Sequence, residues 1–205
     1  MLSPRLGWLQ DKVLNYSQIA LFERSPQEYA NQYIYNEKQR ITRNMQYGTQ
    51  LADGLEVDEA TGDPLLDFMA SMLPKYELMD IPIFAELENG KEKIKLRGRP
   101  DSAKKDYSSF YEYKTSTRPW TQKMVDQSGQ ITFYATVIWL KTKKIPQDIE
   151  LICIGTRYQD DGSLTVSGDM VRVPTKRTMM DIIKMCSRIR KAYAGIKKLC
   201  EKELL

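Results

Sequence analysis

The sequence predicts an α/β protein with a mixed central β-sheet flanked by helices. Three observations carry that prediction. Apolar residues recur at helical spacing through the first third of the chain. The period switches to strict alternation at DIPIFAELE, residues 80–88, which is followed at once by Asn89-Gly90, a strong hairpin signal. After a helical stretch over 120–140, two further strand-like runs, 149–158 and 163–173, flank Asp160-Asp161-Gly162, and a basic helix closes the chain. The order is helices, three strands, helix, two strands, helix, which is the pattern of a mixed sheet covered by helices. A chain of 205 residues suits one domain with a sizeable core. The expected division is N-terminal helices over 16–77, a core over 80–173 and a C-terminal helix over 175–203.

Each element has a local reason. Ser17 is placed to cap a helix that turns Ile19, Leu21 and Phe22 inward, and Pro26 suits the first position of the next helix, with Tyr29, Tyr33 and Ile34 following at helical spacing. A further helix is expected near 45–57. The loop Thr61-Gly62-Asp63-Pro64 caps a short helix over 65–76. The strand 91–101 returns from the hairpin, 104–108 forms a polar turn, and 109–115 is the next strand. The helix over 120–140 is amphipathic at Met124, Gln127, Ile131, Tyr134 and Ile138.

Composition excludes several chemistries. Histidine is absent, which removes Ser-His-Asp and Cys-His catalysis and every zinc site that needs imidazole. The cysteines, Cys153, Cys186 and Cys200, include no CxxC pair, so each reads as a buried inert thiol. No apolar run is long enough to cross a bilayer, so no membrane partner is expected. The N-terminus lacks the features of a signal peptide, so the expected location is the cytoplasm, with nucleoid association, or a host cytoplasm if the source is viral. A net charge of +4 permits a polyanionic partner.

The unusual stretch is RGRPDSAKKDYSSFYEYKTST, residues 97–117. In a strand, Phe110, Glu112 and Lys114 share one face while Tyr111 and Tyr113 share the other. Asp101 ends the preceding strand, so the turn can bring it beside Glu112. Two converging carboxylates repel and are costly to bury, and a divalent cation resolves the conflict. Hard oxygen ligands suit Mg²⁺ or Mn²⁺. A neighbouring lysine suits phosphate chemistry as a point charge.

Pro100-Asp101 followed by Glu112-Tyr113-Lys114 resembles the signature of the PD-(D/E)XK nuclease superfamily. Gln130 and Tyr134 are similar to the QxxxY motif of its RecB-like exonuclease branch, which includes phage recombination exonucleases, and lie one helical turn apart. Residues 17–29 resemble the opening helix of that branch, and Gly98-Arg99-Pro100-Asp101 its GxxD element. The resemblance spans roughly residues 16–140. It implies a restriction-endonuclease-like core and a Mg²⁺- or Mn²⁺-dependent deoxyribonuclease. Asp101, Glu112 and the main-chain carbonyl of Tyr113 would bind metal, Lys114 would position water and stabilise charge, and Gln130 and Tyr134 would orient the site. The implied partner is DNA, in recombination, repair or phage DNA processing. A helicase, a single-strand annealing or recombination partner, or a homo-oligomeric ring would add processivity. A catalytically weak nucleic-acid-binding subunit and a structure-specific endonuclease are the alternatives on the same fold.

Two departures from the pattern matter. Ala52 stands where the branch often carries a histidine ligand. Glu86 is the candidate replacement, with Glu88 as its rival and Asp53 or Glu56 as further possibilities. Ser25 stands where iron–sulfur members carry cysteine, and the C-terminal cysteine cluster is also missing, so no iron–sulfur cluster is expected. Arg99, Arg118 and Lys123 are the candidate DNA contacts, with Arg97, Lys104, Lys105, Lys141, Lys143 and Lys144 also available to phosphate. The basic run 184–198 reads as a solvated helix face, and Tyr111, Tyr113, Trp120 and Phe133 as core.

Overall fold

The computed structural model describes residues 12–37, 49 and 62–204. Its strands form two ladders. β1 (Val13–Leu14) runs parallel to β4 (Glu92–Gly98), which pairs antiparallel with β3 (Ile83–Asn89). The larger ladder has the order β2 (Leu78–Met79), β5 (Ser102–Ala103), β6 (Ser109–Ser116), β7 (Asp148–Tyr158), β8 (Leu164–Thr175), with β6 and β7 parallel and the other neighbours antiparallel. Both ladders are therefore mixed, and helices flank them. Among the described residues no helix is long and apolar enough to cross a membrane.

Helices α1 (Tyr16–Arg24) and α2 (Pro26–Tyr33) begin where small polar side chains satisfy the first free amides. Asn15, rather than Ser17, caps α1, in a reciprocal pairing with Gln18. Ser25 caps α2 through the Glu28 amide, with Pro26 in the first turn as expected. Helix α3 (Pro64–Ser71) is capped by Asp63. The helix expected near 45–57 lies outside the described residues.

Several boundaries differ from the expectations: the short helix placed over 65–76 ends at Ser71, and the strand placed over 80–88 starts at Ile83. The strand placed over 91–101 stops at Gly98, and the chain turns from one ladder into the other through Arg99, Pro100 and Asp101. The helix placed over 120–140 is two helices, α4 (Gln122–Asp126) and α5 (Gly129–Thr142), because Ser128 caps a new start. The final helix α6 (Met179–Leu204) begins later than residue 175, because β8 runs on to Thr175. The Asn89-Gly90 hairpin is realised with Gly90 at φ 65°, a conformation that side chains disfavour.

The sheets divide the core. Phe110, Ile149, Leu151 and Cys153 pack with Ile19, Tyr29, Leu96, and the buried faces of α5 and α6. On the other face Tyr113, Ile152 and Ile154 pack under α3 with Leu66, Met69 and Ala70. β7 is thus buried on both faces, which is why its sequence reads LICI without polar alternation.

Candidate active site

The site is built where β6 meets the bend at residues 99–101. β5 and β6 pair Ser102 with Tyr111 and Ala103 with Phe110. Two residues further the ladder would pair residue 100 with Tyr113, and a proline there has no amide to donate to the Tyr113 carbonyl. The Asp101 carboxylate takes the place of a facing strand carbonyl: its Oδ2 accepts the Tyr113 N–H at 2.6 Å. The carbonyl of a strand residue points to the same edge as its own N–H, so the Tyr113 carbonyl is directed toward the side of Asp101.

Glu112 lies on the face covered by α5 and is 1% exposed. Its Oε1 accepts from Lys114 Nζ at 2.5 Å. Its Oε2 is buried and has no hydrogen-bond partner among the described residues. A buried unsatisfied carboxylate oxygen is an expensive feature in a native fold. Burial first, and then the negative charge of Asp101, push the Glu112 carboxyl up to about 8, against the opposing pull of Lys114. Burial pulls the Lys114 ammonium down, but Glu112 and Asp101 outweigh it and hold it above its ordinary value, so Lys114 stays charged.

Helix α5 closes the site from above. Gln130 Nε2 donates to the Tyr134 hydroxyl at 2.8 Å, and Tyr134 packs edge-on against Phe110 at 6.2 Å between ring centroids. Burial chiefly, then the charges of Glu112 and Asp101, push the Tyr134 phenol far above its ordinary value. Gly98 lets the helix approach β4: a Cβ there would come within 3.3 Å of Val137 and 3.4 Å of Tyr134. Arg99 is ion-paired with Asp80 and donates to its carbonyl at 3.0 Å, while its charge reaches Tyr134.

Asp101, Glu112, Lys114, Gln130, Tyr134 and Arg99 therefore share one neighbourhood. Arg118 and Lys123 are exposed on the connection that leaves β6 for α5. Glu86 does not join them. It points from the outer face of β3 in the other ladder, exposed, and pairs with Lys93 at 2.7 Å. Strand alternation is the physical reason: Ile83, Ala85 and Leu87 take the inward positions, leaving Glu86 and Glu88 outward. The Lys93 ammonium holds the Glu86 carboxyl below its usual range. Asp53, Glu56 and Ala52 lie outside the described residues. Of the remaining basic candidates, Lys104 lies over Tyr76, Lys141 over Tyr107 and Lys143 over Trp139.

One organising residue escaped the sequence reading. Asp80, at φ 50°, donates its N–H to the Asp101 carbonyl at 3.0 Å while its own carbonyl and carboxylate hold Arg99. Aspartate tolerates that backbone conformation better than most residues, but nothing in the sequence ties it to a bend twenty residues away.

Residues of this type fit a divalent cation. The orphaned Glu112 Oε2, the adjacent Asp101 carboxylate and the Tyr113 carbonyl are hard oxygen donors, and positive charge between them would relieve both the desolvation and the repulsion. Among the described residues no group of three or more acidic, histidine or cysteine side chains gathers to hold a metal.

No protein-family model matches the chain. No curated protein matches it either. Solved structures do. A candidate exonuclease from Eubacterium rectale is similar with a TM-score of 0.58 at 10% identity, over 98% of this chain and 85% of that one. The LHK-Exo exonuclease of Laribacter hongkongensis, solved with dAMP, gives 0.51 at 13% identity, over 96% and 93%. A phage-related exonuclease from Haemophilus somnus gives 0.51 at 11% identity, over 89% and 82%. The chain has the fold of these exonucleases, the mixed α/β nuclease architecture.

Proposed function

We propose that this protein is a metal-dependent DNA nuclease, acting as an exonuclease in recombination, repair or phage DNA processing. The observation that carries the reading is the buried Oε2 of Glu112, partnerless among the described residues, on a carboxylate that Asp101 repels and whose other oxygen accepts from Lys114. Among the described residues the ion pair with Lys114 engages Oε1 alone. The exonuclease names of the structures with this fold favour the same class of activity and DNA as the substrate.

Asp101, Glu112 and the Tyr113 carbonyl would hold Mg²⁺ or Mn²⁺. Such an ion, when bound, supplies charge stabilisation at the phosphate. The chain's own groups do the rest. Asp101 is fixed by the Tyr113 amide, so its carboxylate does not swing with substrate. Lys114 keeps its proton and offers a positive charge beside the phosphodiester as negative charge accumulates. Gln130 orients the Tyr134 phenol over the carboxylates. In hydrolysis a water oxygen bonds to phosphorus opposite the departing ribose oxygen. The P–O bond to that oxygen breaks, the water gives up a proton and the leaving oxygen gains one. Arg99, Arg118 and Lys123 would bind flanking phosphates.

The test is digestion of end-labelled single- and double-stranded DNA with Mg²⁺ or Mn²⁺, against EDTA. Metal-dependent release of nucleotides from linear but not circular DNA is the expected result. Cleavage of circles would make it an endonuclease. Binding without cleavage would make it a nucleic-acid-binding subunit on a nuclease fold.

A further inference from the structure

Resting on the nuclease reading, we infer that Arg177 is a positioning residue, the clamp that fixes Gln130 and Tyr134 over the carboxylate pair. Arg177 is 6% exposed and lies between β8 and α6, remote in sequence from every candidate site residue. A guanidinium has five N–H donors, and here all five have acceptors. Nε donates to Thr132 Oγ1 at 2.8 Å. Nη1 donates to Thr175 Oγ1 at 2.6 Å and to the Lys176 carbonyl at 2.9 Å. Nη2 donates to the carbonyls of Val125 at 2.8 Å and Ser128 at 3.4 Å.

The acceptors converge on one corner. Val125 lies in the last turn of α4, Ser128 caps α5, and Thr132 sits in the first turn of α5. Thr132 also donates to the Ser128 carbonyl at 2.9 Å, and Thr175 donates to Asp126 at 2.7 Å, so both hydroxyls are fixed in their roles. Gln130 lies midway between the Ser128 cap and Thr132, the two points at which Arg177 grips the start of α5. Thr132 is about 200° around the helix from Gln130 and about the same from Tyr134, so the clamp holds the side of α5 away from the carboxylates. The helix is thereby pinned between the guanidinium behind and Glu112 in front.

Burying a charge is costly even with the Asp181 and Asp126 carboxylates near enough to offset part of it, and apolar packing would stabilise such a corner at least as well. What the five-point fork adds is one fixed geometry. The corner needs it, because α4 is only five residues long and the chain breaks at Ser128-Gly129 directly before the active-site turn. Lysine is no substitute: its three donors on one atom cannot span acceptors on two helices and a strand.

The experiment measures single-turnover DNA cleavage and Mn²⁺ affinity for the parent, Arg177→Lys, Thr132→Val, Gln130→Ala and the Arg177→Lys/Gln130→Ala double variant. The expected result is a ten- to hundredfold loss of kcat in Arg177→Lys, with Mn²⁺ affinity and KM within about twofold, since Asp101 and Glu112 stand on the sheet rather than on α5. Thr132→Val removes one of the five bonds at constant shape and should lose kcat in the same direction by severalfold. It keeps the inference falsifiable should Arg177→Lys fail to fold. The double variant should be no slower than about twice Gln130→Ala, because the clamp acts through Gln130 and Tyr134. Multiplicative losses in the double variant would overturn the inference, as would unchanged kcat in a folded Arg177→Lys or in Thr132→Val. So would a fall in Mn²⁺ affinity matching the fall in rate. Absence of cleavage by the parent would overturn the nuclease reading and this inference with it, whereas cleavage by the parent with any of the other outcomes overturns the inference alone.

Discussion

At the scale of single residues, the site is a contest over one carboxylate. Glu112 is buried beside Asp101 with only one oxygen partnered among the described residues, and Lys114 offsets part of the cost. Replacing Asp101, Glu112 or Lys114 by alanine should each slow cleavage by about a hundredfold or more, the scale of losing a metal ligand or an electrostatic contact made in the transition state. Isothermal titration with Mn²⁺ separates their roles: the two acidic variants should lose affinity, and Lys114→Ala should largely keep it. Glu86→Gln should leave both metal affinity and cleavage unchanged, because Glu86 is exposed and engaged with Lys93 on the outer face of the other ladder. A clear loss of Mn²⁺ binding in Glu86→Gln would mean that β3 rearranges in solution.

At the scale of elements, the sequence was most legible where pattern and chemistry coincide in one strand. The alternation around Glu112 and Lys114 set their shared face, and the structure has Phe110 on that face and Tyr113 on the other. Asp101 was placed beside Glu112 by hairpin reasoning, but the mechanism of approach is different: the chain leaves one ladder, passes Pro100, and enters the next. A periodicity argument cannot see a change of ladder. The break at Ser128-Gly129 is hidden for a related reason, since the apolar spacing runs on through it while the Ser128 side chain, bonded to the Ile131 amide, decides where the helix starts. Glu86 shows the limit of parity. Alternation identified two glutamates on one face without saying that the face was the solvent side. The bend at Asp80 gives an element-scale test. Asp80→Ala removes the carboxylate that holds Arg99 and strains a residue at φ 50°. It should destabilise the fold by about 1–3 kcal/mol and lower cleavage further than that loss explains, as read by denaturant unfolding alongside single-turnover rates.

At the scale of the whole molecule, the site couples stability to pH and to metal. The folded state raises the Glu112 carboxyl to about 8 from the ordinary 4.5. Between those values the folded protein holds a proton that the unfolded chain has released, so without metal its stability falls as pH rises through that window. Glu112→Gln removes the penalty. At 1.36 kcal/mol per unit its ceiling is about 4–5 kcal/mol, and the observed gain should be smaller because Lys114 loses its anionic partner. In EDTA the variant should therefore melt close to the parent at pH 5 and above it at pH 8.5. Metal reverses the order. An ion that binds only the folded state adds about 2.7 kcal/mol at a hundred times its Kd, and it competes with the proton on Glu112, so Mn²⁺ should raise the parent's Tm most at high pH and release protons on binding. Glu112→Gln should show neither effect. The two melting curves should thus cross as Mn²⁺ is added at pH 8.5, the parent starting lower and finishing higher. Curves that keep their order at every Mn²⁺ concentration would show that the buried carboxylate of Glu112 serves the fold and not a cation.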